Sequence, residues 1–223
     1  MDLPAHVALR SKLPAAGTTI FSVMSALAQQ HGAINLGQGF PDYPIEPALI
    51  DLVTAAMREG HNQYPPMPGV PALREAIAAK VARLYGRAYD PDAEVTVTSG
   101  ATQAIFTAIQ ALAHPGDEAI VFEPAYDSYV PSVLVAGATP VPLALTFPGY
   151  RIDWDLVRAA ITPRTRLIVV NTPNNPGTSV LAAADLDALA EVTRGTRIVV
   201  IGDEVYEHMV YDGARHESLA RHA

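Results

Sequence analysis

The sequence has 223 residues, 49% hydrophobic and 17% charged, a balance that belongs to a folded globular chain and excludes a polar, charge-rich disordered one. Its 15 Lys and Arg against 23 Asp and Glu give a net charge of −8, which argues against a nucleic-acid surface of clustered cations and leaves room for a small, even anionic, ligand. Without a single cysteine, disulfides, thiolate metal sites, iron–sulfur clusters and cysteine nucleophiles are all excluded.

At the start of the chain, Met1 to Arg10 carries Asp2, Pro4 and His6 and lacks a basic start followed by an apolar run, so it does not read as a secretory signal. No stretch approaches the roughly 20 apolar residues of a membrane helix, and the expected location is the cytoplasm. Thr18 to Gln30 reads as a helix, and Gly37, Gly39, Pro41, Pro44 and Pro47 mark an irregular segment. Two more helices follow, Leu49 to Met57 and Ala72 to Leu84, with a turn-rich stretch from Tyr64 to Gly69 between them. Lys12 and Lys80, the two lysines of the chain, read as solvated surface charges.

From Val95 onward short β-branched runs alternate with helical patterns. Strands are expected at Val95–Val97, Ala119–Phe122, Thr139–Leu143, Leu167–Val170 and Ile198–Ile201. Helices are expected over Gln103–Ala113, Tyr126–Ala136, Trp154–Ile161 and Ala182–Val192. That alternation predicts an α/β fold of three layers, helices on both faces of a mostly parallel sheet. The seven histidines form no His-x-x-x-His pair, and no EF-hand or P-loop spacing occurs, so no metal site is expected.

In open α/β sheets ligands bind beyond the carboxyl ends of the strands, and three segments stand there. Ser99-Gly100-Ala101-Thr102-Gln103 is a small-residue turn opening a helix, suited to a phosphate, or else a plain turn in which Thr102 caps the helix. Asn171-Thr172-Pro173-Asn174-Asn175-Pro176-Gly177 is a proline-stiffened loop whose amides serve a ligand or satisfy their own backbone. Asp203-Glu204-Val205-Tyr206 follows a buried strand at a spacing that puts Asp203 and Tyr206 on one side of a helical turn, Asp203 otherwise being a helix cap and Tyr206 a packing ring.

Taken jointly, these segments and Glu123-Pro124-Ala125-Tyr126 resemble the pyridoxal-phosphate aminotransferases of fold type I, class I/II. The order agrees, and 28 positions separate Asn175 from Asp203, similar to the family's interval between its amide and its ring-nitrogen carboxylate. The resemblance covers nearly the whole chain, including Asn35 to Asp42 and Gln63 to Gly69, and is closest to methionine and kynurenine/glutamine aminotransferases. It implies that Asp203 pairs with the pyridine nitrogen, that Asn175 and Tyr206 donate to the ring oxygen, and that Tyr126 stacks on the ring. It further implies that Gly100, Ala101 and Thr102 bind the phosphate, that Gly39 and Asn175 meet the substrate, and that Tyr64 reaches the phosphate of the neighbouring subunit in a homodimer.

One departure stands out. The family's Schiff-base lysine lies a few tens of residues past its Asp-x-x-Tyr segment, which here falls beyond Ala223, and neither Lys12 nor Lys80 is placed to replace it. The expectation is therefore a truncated chain, with residues 1–40 as N-terminal arm and small-domain segment and 41–223 as an incomplete large cofactor-binding domain. The whole protein would move an amino group between an amino acid (methionine-, aromatic- or glutamine-like) and a 2-oxo acid, while this part alone would be inactive. Two rivals remain open: a C–S or β-eliminating lyase of the same fold, and a non-catalytic binding fragment. A dinucleotide oxidoreductase is disfavoured, since Ser99 to Ala104 holds one glycine where that fingerprint needs three.

Overall fold

The computed structural model describes residues 10–14, 17–39 and 41–221. The reading of the N-terminus as lacking a signal falls almost wholly on 1–9, and Phe40 of the 35–42 motif is also outside the described residues. The described residues divide into two compact units, one within 14–67 and the other of 68–221 together with 10–13.

In the smaller unit, α1 (Ile20–His31) begins where Thr19 Oγ1 accepts from the Ser22 N–H at 3.3 Å and ends at Gly32. Helix α2 (Pro47–Arg58) starts on a proline, whose missing N–H would have had no intrahelical acceptor there. Neither helix buries a residue, and Leu49, Ile50, Leu52, Val53 and Met57 of α2 are all exposed.

The larger unit runs α3 (Pro71–Tyr85), α4 (Ala101–Leu112), β1 (Glu118–Glu123), α5 (Tyr129–Val135), β2 (Thr139–Ala144), α6 (Trp154–Ala160), β3 (Thr165–Asn171), α7 (Ala183–Thr193) and β4 (Val199–Asp203). The four strands form one parallel sheet in the order β2-β1-β3-β4. Strand side chains alternate between faces, so β1 and β3 each feed two cores. Val121, Leu167 and Val169 pack with Ile105 and Ile109 of α4 and Tyr129 and Val133 of α5. Ile120, Phe122, Ile168 and Val170 pack with Val157 of α6 and Leu186 and Leu189 of α7. Covered on both faces, the central strands are uninterrupted apolar runs, which is why periodicity located them.

Three expectations are corrected. Val95–Val97 belongs to no ladder; Val97 N–H bonds Pro68 O at 2.9 Å, and Val95 is buried. Its β-branched residues gave a strand signal, but a strand also needs a neighbour in register, and the described sheet offers none. The backbone comes close here because residue 69 is glycine: at φ +104° a Cβ would stand 2.6 Å from Val97 Cγ2. Tyr126–Ser128 is a turn rather than the first turn of α5, because Pro131 is tolerated only where its missing N–H has no acceptor, which sets the helix start at Tyr129. The segment after Asp203 is not helical either. Glu207 N–H bonds Glu204 O at 2.9 Å and Met209 N–H bonds Tyr206 O at 2.8 Å, so it is a run of turns.

Candidate active site

Parallel strands place all their carboxyl ends on one edge, and here β1 leads to β2 on one side while β3 lies on the other, making β1/β3 the switch point where a crevice opens. Around it lies a cavity of about 160 Å³ lined by Ala101, Thr102, Ile105, Tyr126, Tyr129, Asn171, Asn175, Asp203, Val205 and Tyr206. Each strand end contributes one part.

Strand β4 delivers Asp203, 8% exposed. Its Oδ1 accepts from the Val205 N–H at 3.2 Å, and its Oδ2 accepts from the Tyr129 hydroxyl at 2.6 Å. A buried carboxylate needs donors, and these two supply them without a formal charge. Burial, then the hydrogen bond to Asp203, pushes the Tyr129 hydroxyl well above the usual tyrosine range, so it stays protonated and donates. Asp203 caps no helix.

From β3, Asn171 donates through Nδ2 to Asp203 O at 2.9 Å and accepts from the Asn175 N–H at 2.6 Å, tying the loop to the neighbouring strand. Asn174 is spent locally, its Oδ1 accepting from the Gly177 N–H at 2.8 Å. Asn171 and Asn175 both line the cavity, and Asn175 Nδ2 lies 3.5 Å from the Tyr206 hydroxyl. Strand β1 leads to Tyr126, whose ring meets Tyr129 edge-on at 5.8 Å and whose hydroxyl is 3.3 Å from Thr102 Oγ1.

Helix α4 starts at Gly100, whose φ of +84° suits a glycine and turns the chain sharply into the helix. No side chain caps this end, so the alternative in which Thr102 does so is corrected. The N–H groups of Ala101, Thr102 and Gln103 precede the first intrahelical acceptor and carry the positive end of the helix dipole.

Of the residues singled out by sequence, Ala101, Thr102, Tyr126, Asn175, Asp203 and Tyr206 thus come together, with Gly100 immediately before α4, which Ala101 and Thr102 open. Gly39 and Tyr64 belong to the smaller unit, where Tyr64 is fully exposed. Sequence reasoning missed four of the lining residues: Ile105 and Tyr129 read as ordinary helix residues, while Asn171 and Val205 stand in their motifs without an assigned role. Lys80 departs from expectation as well: its Nζ bonds Glu207 instead of standing in solvent, while Lys12 is exposed. No lysine lines the cavity.

A parallel α/β sheet with a carboxylate, phenols, an amide and an open helix start at its switch point defines a small-ligand site. The chain belongs to the aminotransferase class I and II family, whose model matches residues 31–222. It is 50% identical over 213 residues to the methionine aminotransferase of Escherichia coli (strain K12), covering 96% of this chain and 55% of that protein. It is likewise 50% identical over 212 residues to the probable N-succinyldiaminopimelate aminotransferase DapC of Mycobacterium tuberculosis (strain ATCC 25618 / H37Rv), covering 94% and 53%. Among solved structures, YbdL from Escherichia coli, described as having a methionine aminotransferase function, superposes with a TM-score of 0.92 at 48% identity, covering 97% of this chain and 56% of that one. The chain spans about half the length of the curated relatives it matches. Its fold is that of the pyridoxal-phosphate-dependent transferases of fold type I, and the family depends on that cofactor.

Proposed function

We propose that this chain is the cofactor-holding part of an amino-acid aminotransferase, with pyridoxal phosphate seated in the cavity at the β1/β3 switch point. The observation that carries this reading is Asp203: a buried carboxylate at the sheet end, held by Tyr129 and the Val205 N–H and facing a cavity in which a cationic or protonated partner would add to the favourable side of its burial. A protonated pyridine nitrogen is such a partner. The donors elsewhere fit the rest of the group: Asn175 and Tyr206 for a ring oxygen, Tyr126 for the ring face, and the start of α4 with Gly100, Ala101 and Thr102 for the phosphate.

When bound, the cofactor supplies an electron sink for bonds at a substrate's α-carbon. The residues of this chain bind and orient it. Asp203 holds a proton at the ring nitrogen, Tyr206 and Asn175 hold one toward the ring oxygen, and α4 fixes the phosphate end. Gly39, with Asn175, is assigned to the substrate, and Tyr64 to the phosphate in the partner subunit of a homodimer. In the whole protein the donor would be methionine-like, aromatic or glutamine-like, the acceptor a 2-oxo acid and the location cytoplasmic.

The absence of a lysine from the cavity favours a narrower second reading, in which these residues hold the cofactor without turning over substrate. Calorimetric titration of the purified chain with pyridoxal phosphate, pyridoxal and inorganic phosphate tests both. The expected result is saturable binding of pyridoxal phosphate, with pyridoxal weaker by about 10-fold or more through loss of the helix-end contact. A methionine/2-oxoglutarate assay on the same sample should give no product. Absence of saturable binding overturns both readings, and product formation overturns the second.

A further inference from the structure

Behind the cavity, the turns that follow β4 send their side chains in two directions. Asp203 and Tyr206 line the cavity, whereas Glu204 and Glu207 engage other partners. One Glu207 carboxylate oxygen accepts from Lys80 Nζ and the other from the Tyr85 hydroxyl, both on α3 and 127 and 122 positions away in sequence. Glu204 is held as firmly: His216 Nε2 lies 2.7 Å from its Oε2, and the Leu219 N–H donates to its Oε1 at 2.8 Å. The Tyr85 and His216 rings meet edge-on at 5.9 Å, so the two anchors form one cluster.

Tyr206 sits between these anchored carboxylates. Its own hydroxyl contact, to Asn175 Nδ2 at 3.5 Å, is at the outer limit of a hydrogen bond and too weak to fix a phenol. What holds the residue is its backbone, clasped on one side by Glu204 and on the other by Glu207. The Glu207 side chain is 18% exposed and Lys80 is 37% exposed, so the pair is partly withdrawn from water. Burial works against the Glu207 carboxylate, yet the hydrogen bonds from Lys80 and Tyr85 prevail and hold its carboxyl below the usual carboxylate range. A pair of this kind contributes little net stability but accepts few alternative geometries, which makes it suited to setting a position.

We propose that Lys80, Tyr85 and Glu207 are positioning residues for Tyr206, holding the turn after β4 so that its hydroxyl stays at the place a cofactor ring oxygen takes. None of the three lines the cavity, and their effect passes through Tyr206. The link to a cofactor rests on the function proposed above; the hold on Tyr206 does not.

The test uses the 223-residue chain and two readouts. First, with tyrosines carbon-13 labelled at Cζ and no ligand present, the Tyr206 resonance, identified by its loss in Tyr206→Phe, should be single in the parent chain. It should shift or split in Glu207→Gln and in Lys80→Met. Second, calorimetric titration with pyridoxal phosphate should show Glu207→Gln weakening binding about fivefold in the parent chain and less than about twofold in a Tyr206→Phe background, the coupling expected of residues acting through one another. Tyr85→Phe, which keeps the ring against His216, repeats both comparisons with a smaller change where Glu207→Gln fails to fold. An unchanged Tyr206 resonance, or equal weakening in both backgrounds, reduces the cluster to a structural ion pair and overturns the proposal. A resonance that responds to Glu207→Gln in a parent chain that binds no pyridoxal phosphate upholds the hold on Tyr206 and sinks the cofactor reading alone.

Discussion

Replacing Asp203 with alanine is expected to lower the affinity of the chain for pyridoxal phosphate by about 10- to 100-fold, the worth of roughly 1.5–3 kcal/mol for a hydrogen bond between charged partners. The argument starts from burial. Asp203 is 8% exposed and its two oxygens already accept from Tyr129 and Val205, so the carboxylate is oriented before any ligand arrives. A ligand that brings a protonated nitrogen meets a preorganised anion and does not have to order it. Asp203→Asn separates charge from shape: it should lose most of the same affinity while keeping the side-chain volume. Tyr129→Phe, which removes one donor to the carboxylate and leaves the charge, should cost less affinity than either. If all three variants bind as the parent does, Asp203 plays no part in holding the cofactor. Because Asp203→Ala also strands the buried Tyr129 hydroxyl, a companion urea titration should show a stability loss of about 1–3 kcal/mol.

Leu167→Ala is expected to destabilise the chain by about 2–5 kcal/mol, the range of a large-to-small change in a packed core. Leu167 has no exposed surface, pairs with Ala119 of β1 and Val199 of β4, and packs in the core under α4 and α5. A cavity there cannot collapse easily, because the residue is hydrogen-bonded into the sheet between two neighbouring strands. Leu52→Ala on α2 is the contrast: with Leu52 68% exposed, its loss should fall within about 0.5 kcal/mol. Equilibrium urea unfolding of both variants checks the pair. Equal effects would mean that the core is not where the structure places it.

The contrast between these two sites also explains what could be read from the sequence. Residues such as Ile120, Leu167 and Val169 announce strands because each must be apolar to sit between two helical layers, a requirement that acts locally. The same holds for α4, whose Ile105 and Ile109 recur at helical spacing on the buried face. Val95–Val97 shows the limit of that signal, since β-branched character marks a preference for strand and not whether a neighbour lies in register beside it. Asp203, Asn175 and Tyr206 were legible as a set only through their spacing within a resemblance. Tyr129 was not, because its partner lies 74 positions away and nothing near it in sequence betrays a carboxylate. Lys80 misled for the same reason: a lysine on an amphipathic helix reads as solvated, and its pairing with Glu207 comes from the way α3 packs in the finished fold.

The placement of pyridoxal phosphate in this cavity is tested most directly by backbone amide NMR of the nitrogen-15-labelled chain, titrated with the cofactor. The account predicts shifts concentrated at Gly100, Ala101 and Thr102 at the start of α4, and at Asn175, Asp203 and Tyr206 at the ends of β3 and β4. Saturating shifts centred elsewhere in the chain, with these six amides unmoved, would contradict it.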